Sequence, residues 1–177
     1  KSAPSKTKTT GRSWYELPHI VILPAVTTGL LHCVFESEKV MPRKIFVNLH
    51  VADLQRSVAF FTALGFTFNA KFTDESATCM VISEEIYAML LVEERFKTFT
   101  TRQPCPTATH TEAFLALSCE SRAEVEQMVD LALRNGGKAA MPPQDLGFMF
   151  GWSFYDPDGH HWEPFWMDPA AVSDDAA

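Results

Sequence analysis

One internal repeat limits the folds open to this chain more than any other feature. Phe46-Val-Asn-Leu-His-Val-Ala-Asp53 and Phe114-Leu-Ala-Leu-Ser-Cys-Glu-Ser121 align at a constant offset of 68 residues. Each run is apolar and strand-like, ends on a residue suited to cap a helix N-terminus, and leads into an amphipathic helical stretch. A duplicated unit of this size cannot bury its apolar face alone and needs its neighbour. Two such units enclose a concave surface between their sheets, where a small ligand is expected.

The pattern of each unit is strand, helix, three strands. Residues 44–51 alternate and are rich in β-formers. Asp53 caps a helix that carries Leu54, Val58, Phe61 and Leu64 on one face, and Gly65 stops it. Further strands are predicted over 66–72, 78–83 and 87–93. In the second unit, Ser121-Arg-Ala-Glu124 reads as a capping box before the buried stripe Val125, Met128, Val129 and Ala132. A short strand near 138–140, a loop, and strands over 148–155 and 161–167 complete it. Asp156-Pro157-Asp158-Gly159 is a turn between the last two strands, with Asp156 opposite His160, Tyr155 facing His161 and Ser153 facing Glu163. Phe154, Trp162 and Trp166 then fall on the opposite face, toward the helices.

The expected domains are an N-terminal extension over 1–40, a first module over 41–94, a linker over 95–111, a second module over 112–170 and an acidic tail over 171–177. The extension is basic and then apolar, and its apolar run is too short and too interrupted to span a membrane. Met41 opens directly into the first repeat and is expected to be the natural start, with 1–40 as upstream sequence; a genuine extension and a targeting segment are the alternatives. From residue 41 on, ten Lys/Arg stand against nineteen Asp/Glu, which argues against a nucleic-acid partner. Four cysteines without a CxxC spacing exclude a zinc knuckle, and buried free thiols at Cys79 and Cys119 suit a reducing cytoplasm.

The repeat, the Asp53-Leu-Gln-Arg-Ser helix start, Leu64-Gly65-Phe66 and Asp156-Pro-Asp-Gly-His-His-Trp-Glu163 together resemble the vicinal oxygen chelate superfamily. That superfamily includes glyoxalase I, extradiol dioxygenases and bleomycin-resistance proteins. The likeness covers about 43–168 and is strongest to bacterial lactoylglutathione lyase-like chains. It implies an α+β fold of two βαβββ modules with mixed sheets forming a concave cleft. In metal-dependent members four side chains line the cavity floor. By position they fall on Phe46, Phe114, Glu163 and Leu91 (Met89 or Glu93 if the register slips). Only Glu163 among these is a usable ligand for Ni or Zn, which want three or four N/O donors. No cofactor is therefore expected, with a divalent Ni or Zn ion as the alternative.

The cavity-facing residues implied by this fold are Phe46, Asn48 and His50 on the first strand and Phe114, Ala116 and Ser118 on its mate. Ser153, Tyr155, His161, Glu163 and Phe165 join them. An apolar floor with a polar rim suits a small-molecule pocket. Glu163 is the candidate general base, on the expectation that two phenylalanines desolvate it, and His50 is a second candidate. Two readings follow. One is a binder that sequesters an apolar or aromatic ligand on a degenerate metal site. The other is a lyase or isomerase of the lactoylglutathione lyase type working through Glu163. A homodimer is expected, because relatives pair modules within or across chains.

Overall fold

The computed structural model describes residues 42–172. Residues 1–40, the start at Met41 and most of the acidic tail lie outside the described residues. In the first strand, β1 (Ile45–Val51), alternation sends Leu49 and Val51 into the core and leaves Phe46, Asn48 and His50 on the other face. Helix α1 (Leu54–Ala63) starts at Asp53, whose carboxylate accepts from Arg56 N at 3.0 Å. It ends at Leu64, and Gly65 takes the left-handed conformation at φ 96° that lets Phe66 N reach back to Phe61 O. The strands β2 (Thr67–Asn69), β3 (Ala77–Val81) and β4 (Ile86–Val92) close a four-stranded sheet in the order β1-β4-β3-β2, with β1 parallel to β4.

The strand predicted over 66–72 is shorter than its sequence suggested, because residues 70–72 form a 3-10 turn. The Asn69 side chain accepts from Lys71 N at 3.0 Å, and its carbonyl accepts from Thr73 Oγ1 at 2.9 Å. Local side-chain bonds of this kind compete with the ladder. The expected linker also holds structure. Glu93, predicted as the last residue of a strand over 87–93, instead opens the short helix α2 (Glu93–Phe96), where Lys97 pairs with Glu93 at 2.7 Å.

The second module repeats the scheme with β5 (Phe114–Ser118) and α3 (Arg122–Arg134), whose cap Ser121 accepts from Glu124 N at 3.2 Å. It continues through β6 (Lys138–Ala139), β7 (Gln144–Asp145), β8 (Met149–Gly151), β9 (Phe154–Tyr155) and β10 (His161–Met167), and a short helix α4 (Pro169–Val172) follows. β10 is central: it runs parallel to β5 and antiparallel to β8 and β9. The predicted pairings of Tyr155 with His161 and of Asp156 with His160 are observed. The single strand predicted over 148–155 is split beside Pro164, which has no N–H to give the ladder, although its carbonyl still accepts from Trp152 N. β7 was not foreseen, since Gln144 and Asp145 carry no apolar alternation.

Both modules share one core. Phe60 and Phe61 of α1 reach Phe154 and Trp162 of the second sheet, with Phe61 and Trp162 ring centroids 5.2 Å apart. Val129 and Ala132 of α3 belong to the same buried set as Leu49, Met80 and Leu90. The core therefore lies on the helix-covered faces of the sheets. The faces carrying Phe46 and Phe114 turn away from it.

Candidate functional site

The turn between β9 and β10 does more than reverse the chain. Asp156 holds its shape: one carboxylate oxygen accepts from the N–H groups of Asp158 and His160, and the other accepts from Trp162 Nε1 at 2.9 Å. Burial pushes the Asp156 carboxyl above its ordinary range, while His160 and these donors pull it back. Asp158 projects from the turn onto the start of α1. It accepts from Ala52 N at 2.8 Å, Arg56 Nη2 at 2.5 Å and Ser57 Oγ at 2.7 Å. A carboxylate at a helix N-terminus meets both free N–H groups and the positive end of the dipole. Asp158 thus bolts the second module to the first. Gly159 beside it has φ 90°, and a Cβ there would sit 2.9 Å from Thr107 O, so the linker packs against the turn through a glycine.

The ladders place the family's cavity positions in register. Phe46 stands opposite Tyr87 and Asn48 opposite Met89; their repeat mates are Phe114 opposite His161 and Ala116 opposite Glu163. Met89, not Leu91, is therefore the structural mate of Glu163. Phe46 stacks on Tyr87 at 4.8 Å, and Phe114 meets the edge of His161 at 4.7 Å. Phe46 is 49% exposed and Phe114 65% exposed, so neither is enclosed within one chain. Two phenyl rings, a thioether and one carboxylate offer no set of donors for a hard divalent ion. The residues do not fit a metal on the cavity floor.

A cavity of about 330 Å³ does form on the open face of the second sheet. Met141, Met149 and Met167 line it together with Trp152 and Phe165, and Glu163 is its one charged lining residue. Ala116 and Gly151 also line it, and these small residues leave room at the β5–β10–β8 surface. Ser153 is buried at the rim, where its Oγ accepts from Met141 N at 3.1 Å and holds that segment in place. The far wall is pinned by Arg122, which pairs with both Asp145 oxygens, donates to Gly147 O at 2.8 Å and lies over the Phe150 and Trp166 rings. Arg122 was not singled out from the sequence; its place at the first position of a capped helix gave no sign of a partner 23 residues away.

Glu163 is exposed in the single chain. Tyr155 and His161 lie further along the same face, with ring centroids 5.0 Å apart. His161 is only 7% exposed and neither ring nitrogen has a partner. Burial pushes its imidazole below the ordinary value, against the charge of Glu163. Asn48 turns its amide toward Phe46 O at 3.4 Å.

His50 goes elsewhere. It sits at the end of β1 beneath the Phe96 ring of α2, and edge-on to His160 at 5.2 Å between ring centroids. His160 is 2% exposed; its Nε2 lies 2.7 Å from His50 O and its Nδ1 2.6 Å from a Glu112 oxygen. His50 Nδ1 is buried without a partner. These three residues are 110 positions apart at the extremes and have no shared motif. Sequence reasoning placed His160 in a turn and did not consider Glu112.

Comparison with known proteins agrees with the fold. Residues 43–83 match the family model for the bleomycin resistance protein-like N-terminal region. No curated protein matches the chain. Among solved structures, a hypothetical protein from S. aureus superimposes with TM-score 0.61 and 26% identity, over 71% of this chain and 94% of that one. A glyoxalase/bleomycin resistance protein/dioxygenase family enzyme from Burkholderia phytofirmans gives TM-score 0.58 at 13% identity, over 69% and 96% of the two chains. The fosfomycin resistance protein FosX from Mesorhizobium loti gives 0.54 at 14% identity, over 74% and 97%. At such identities the last two likenesses concern the fold. Among the described residues no helix is long and apolar enough to cross a membrane.

Proposed function

We propose, for a chain that belongs to the vicinal oxygen chelate superfamily, a binding role: it holds a small, largely apolar or aromatic molecule that carries a cationic or hydrogen-bond-donating group. The observation that carries this reading is the methionine-lined cavity with Glu163 as its single charge. Methionine side chains adapt to ligands of varied shape and make favourable contacts with aromatic rings. A donor or cation on the ligand offsets the cost of burying the carboxylate.

A cavity of about 330 Å³ is at the small end for a ligand site. The exposed Phe46 and Phe114 faces support a second part of the proposal, that two copies pair through them and deepen the site. No metal is expected on the cavity floor.

The test is titration of Trp152 fluorescence with a matched pair of aromatic ligands, one cationic and one neutral. The cationic ligand is expected to bind at least tenfold tighter, and Glu163→Gln is expected to remove that preference. Equal binding of both ligands by the unaltered protein overturns the assignment of Glu163. Turnover of a glyoxalase substrate, lost in Glu163→Gln, would instead favour the lyase reading.

A further inference from the structure

His160 is held between two oxygen acceptors, one on each side of its ring. One side of its ring faces a backbone carbonyl, His50 O, at 2.7 Å, so Nε2 must carry a hydrogen and donate it. In the neutral tautomer that leaves a lone pair on Nδ1, which points at a Glu112 carboxylate oxygen 2.6 Å away. Two acceptors cannot meet at that distance with nothing between them. At this separation a shared proton lies between them; a metal ion bound by both would replace that proton and spread the two atoms apart.

The surroundings distinguish the two. A proton on Nδ1 satisfies His160 and Glu112 and leaves His50 Nδ1 buried and unpartnered, as it stands. A metal ion uses all three residues. A ring nitrogen of each histidine and a Glu112 oxygen lie within 4.8 Å of one another. A histidine that binds metal through one nitrogen usually donates the other to a carbonyl or carboxylate, which is how His160 is held by β1. Two further carboxylates stand close by: Glu93 on α2 lies near His50, and Asp156 in the turn faces His160. Lys97 is paired with Glu93 at 2.7 Å.

We infer that His50, Glu112 and His160 form a site for one divalent cation of the zinc class. It is separate from the cavity floor and does not depend on the binding reading above. Two nitrogens and one carboxylate are the donors of a three-ligand zinc site, in which water completes the shell. Donors in a tetrahedral site with bonds of about 2.0–2.1 Å stand roughly 3.4 Å apart, so His160 Nδ1 and the Glu112 oxygen, now 2.6 Å apart, must separate while the widest pair of the cluster, within 4.8 Å, closes in. Glu112 supplies that freedom: it precedes β5 in an irregular stretch and its side chain is 27% exposed, which also opens a path for the ion. The ion would join the end of β1, the segment before β5 and the β9–β10 turn, next to the bolt made by Asp158.

The experiment is titration of the full chain, stripped with a chelator, with Zn²⁺ and with Co²⁺. Metal content after dialysis gives the stoichiometry, and the visible absorption of bound Co²⁺ reports tetrahedral coordination. One equivalent per chain is expected, with a rise in Tm. His50→Ala and Glu112→Gln are each expected to weaken binding at least tenfold, and Glu163→Gln to leave it unchanged. Glu112 is exposed and Glu112→Gln nearly isosteric, so that variant keeps the test valid if His50→Ala unfolds, and far-ultraviolet circular dichroism checks both. Binding unaffected by Glu112→Gln, binding lost in Glu163→Gln, or no binding at all overturns the site. The last result would leave His160 as a buried hydrogen-bonding residue between His50 O and Glu112.

Discussion

The two sheets descend from one repeat yet present different surfaces. On the first, Phe46 lies flat on Tyr87 with an interplanar angle of 13°, and Asn48 stands beside Met89. On the second, Phe114 meets His161 edge-on at 85°, and Ala116 stands beside Glu163. The first surface stacks its large side chains on one another. The second replaces Asn48 by Ala116 and places Gly151 next to Phe165, and a cavity opens there. The duplication preserved the backbone, the helix caps and the pairing of first with last strand. Side-chain volume and charge on the open faces diverged, and the candidate chemistry went with them. Both sheets nevertheless lean on one core, so neither half is an independent protein.

The largest effect is expected where the comparison is broken outright. Asp158→Ala removes three hydrogen bonds that tie the second module to α1, made by a carboxylate that is itself only 5% exposed. A loss of about 3 kcal/mol is expected, with Tm lower by roughly 10 °C. Calorimetry that shows a change of only a degree or two would mean that the apolar core alone joins the modules. Asp53→Ala, which removes only the cap of α1, should cost about 1 kcal/mol.

A smaller effect tests whether the two open faces work together. If the Phe46 face of one copy covers the Phe114 face of another, Phe46→Asp and Phe114→Asp should each weaken dimerisation at least tenfold by sedimentation analysis, since an exposed phenylalanine that becomes buried contributes about 1.5–3 kcal/mol. Loss from one substitution and not from its mate would show that only one face is an interface.

The smallest effect concerns acid. His161 is the one titrating mate in its pair, because Tyr87 holds the equivalent place on the first sheet. Burial lowers the folded-state value of His161 below the ordinary 6.5, so the unfolded chain takes up a proton first as pH falls. Its stabilising contribution is thus present above about pH 6.5 and is lost between there and the depressed folded value. His161→Phe should flatten the decline in Tm over this window. An unchanged decline would assign the acid sensitivity to another group.

Much of the fold was legible because it is encoded locally. Asp53, Ser121 and Gly65 act through hydrogen bonds to residues a few positions away, and the turn beginning at Asp156 sets the β9–β10 register by its own geometry. The split at Pro164 was readable in principle, since a proline in a central strand cannot give its hydrogen bond. β7 was not, because its two residues carry no alternation and are placed by pairing with β8, with Arg122 of α3 holding Asp145 from 23 residues away. The cavity position opposite Asn48 came out as Met89 only once the parallel ladder was in place; from sequence the choice between Met89 and Leu91 is a register slip of two, which keeps the same face.

The sequence by itself determined what periodicity and nearest neighbours control: two repeated strand–helix–strand units, their caps, their buried stripes and the absence of metal donors at Phe46 and Phe114. Only the tertiary structure decided which polar groups meet. Asp158 finds Ser57 across 101 residues, and His160 finds His50 and Glu112 across 110 and 48. None of these pairs has a spacing that a helix or strand repeats, so no pattern along the chain can announce them. They exist because the shared core of Phe60, Phe61, Phe154 and Trp162 brings the end of β1, the approach to β5 and the β9–β10 turn to one place, where buried polar groups must find partners.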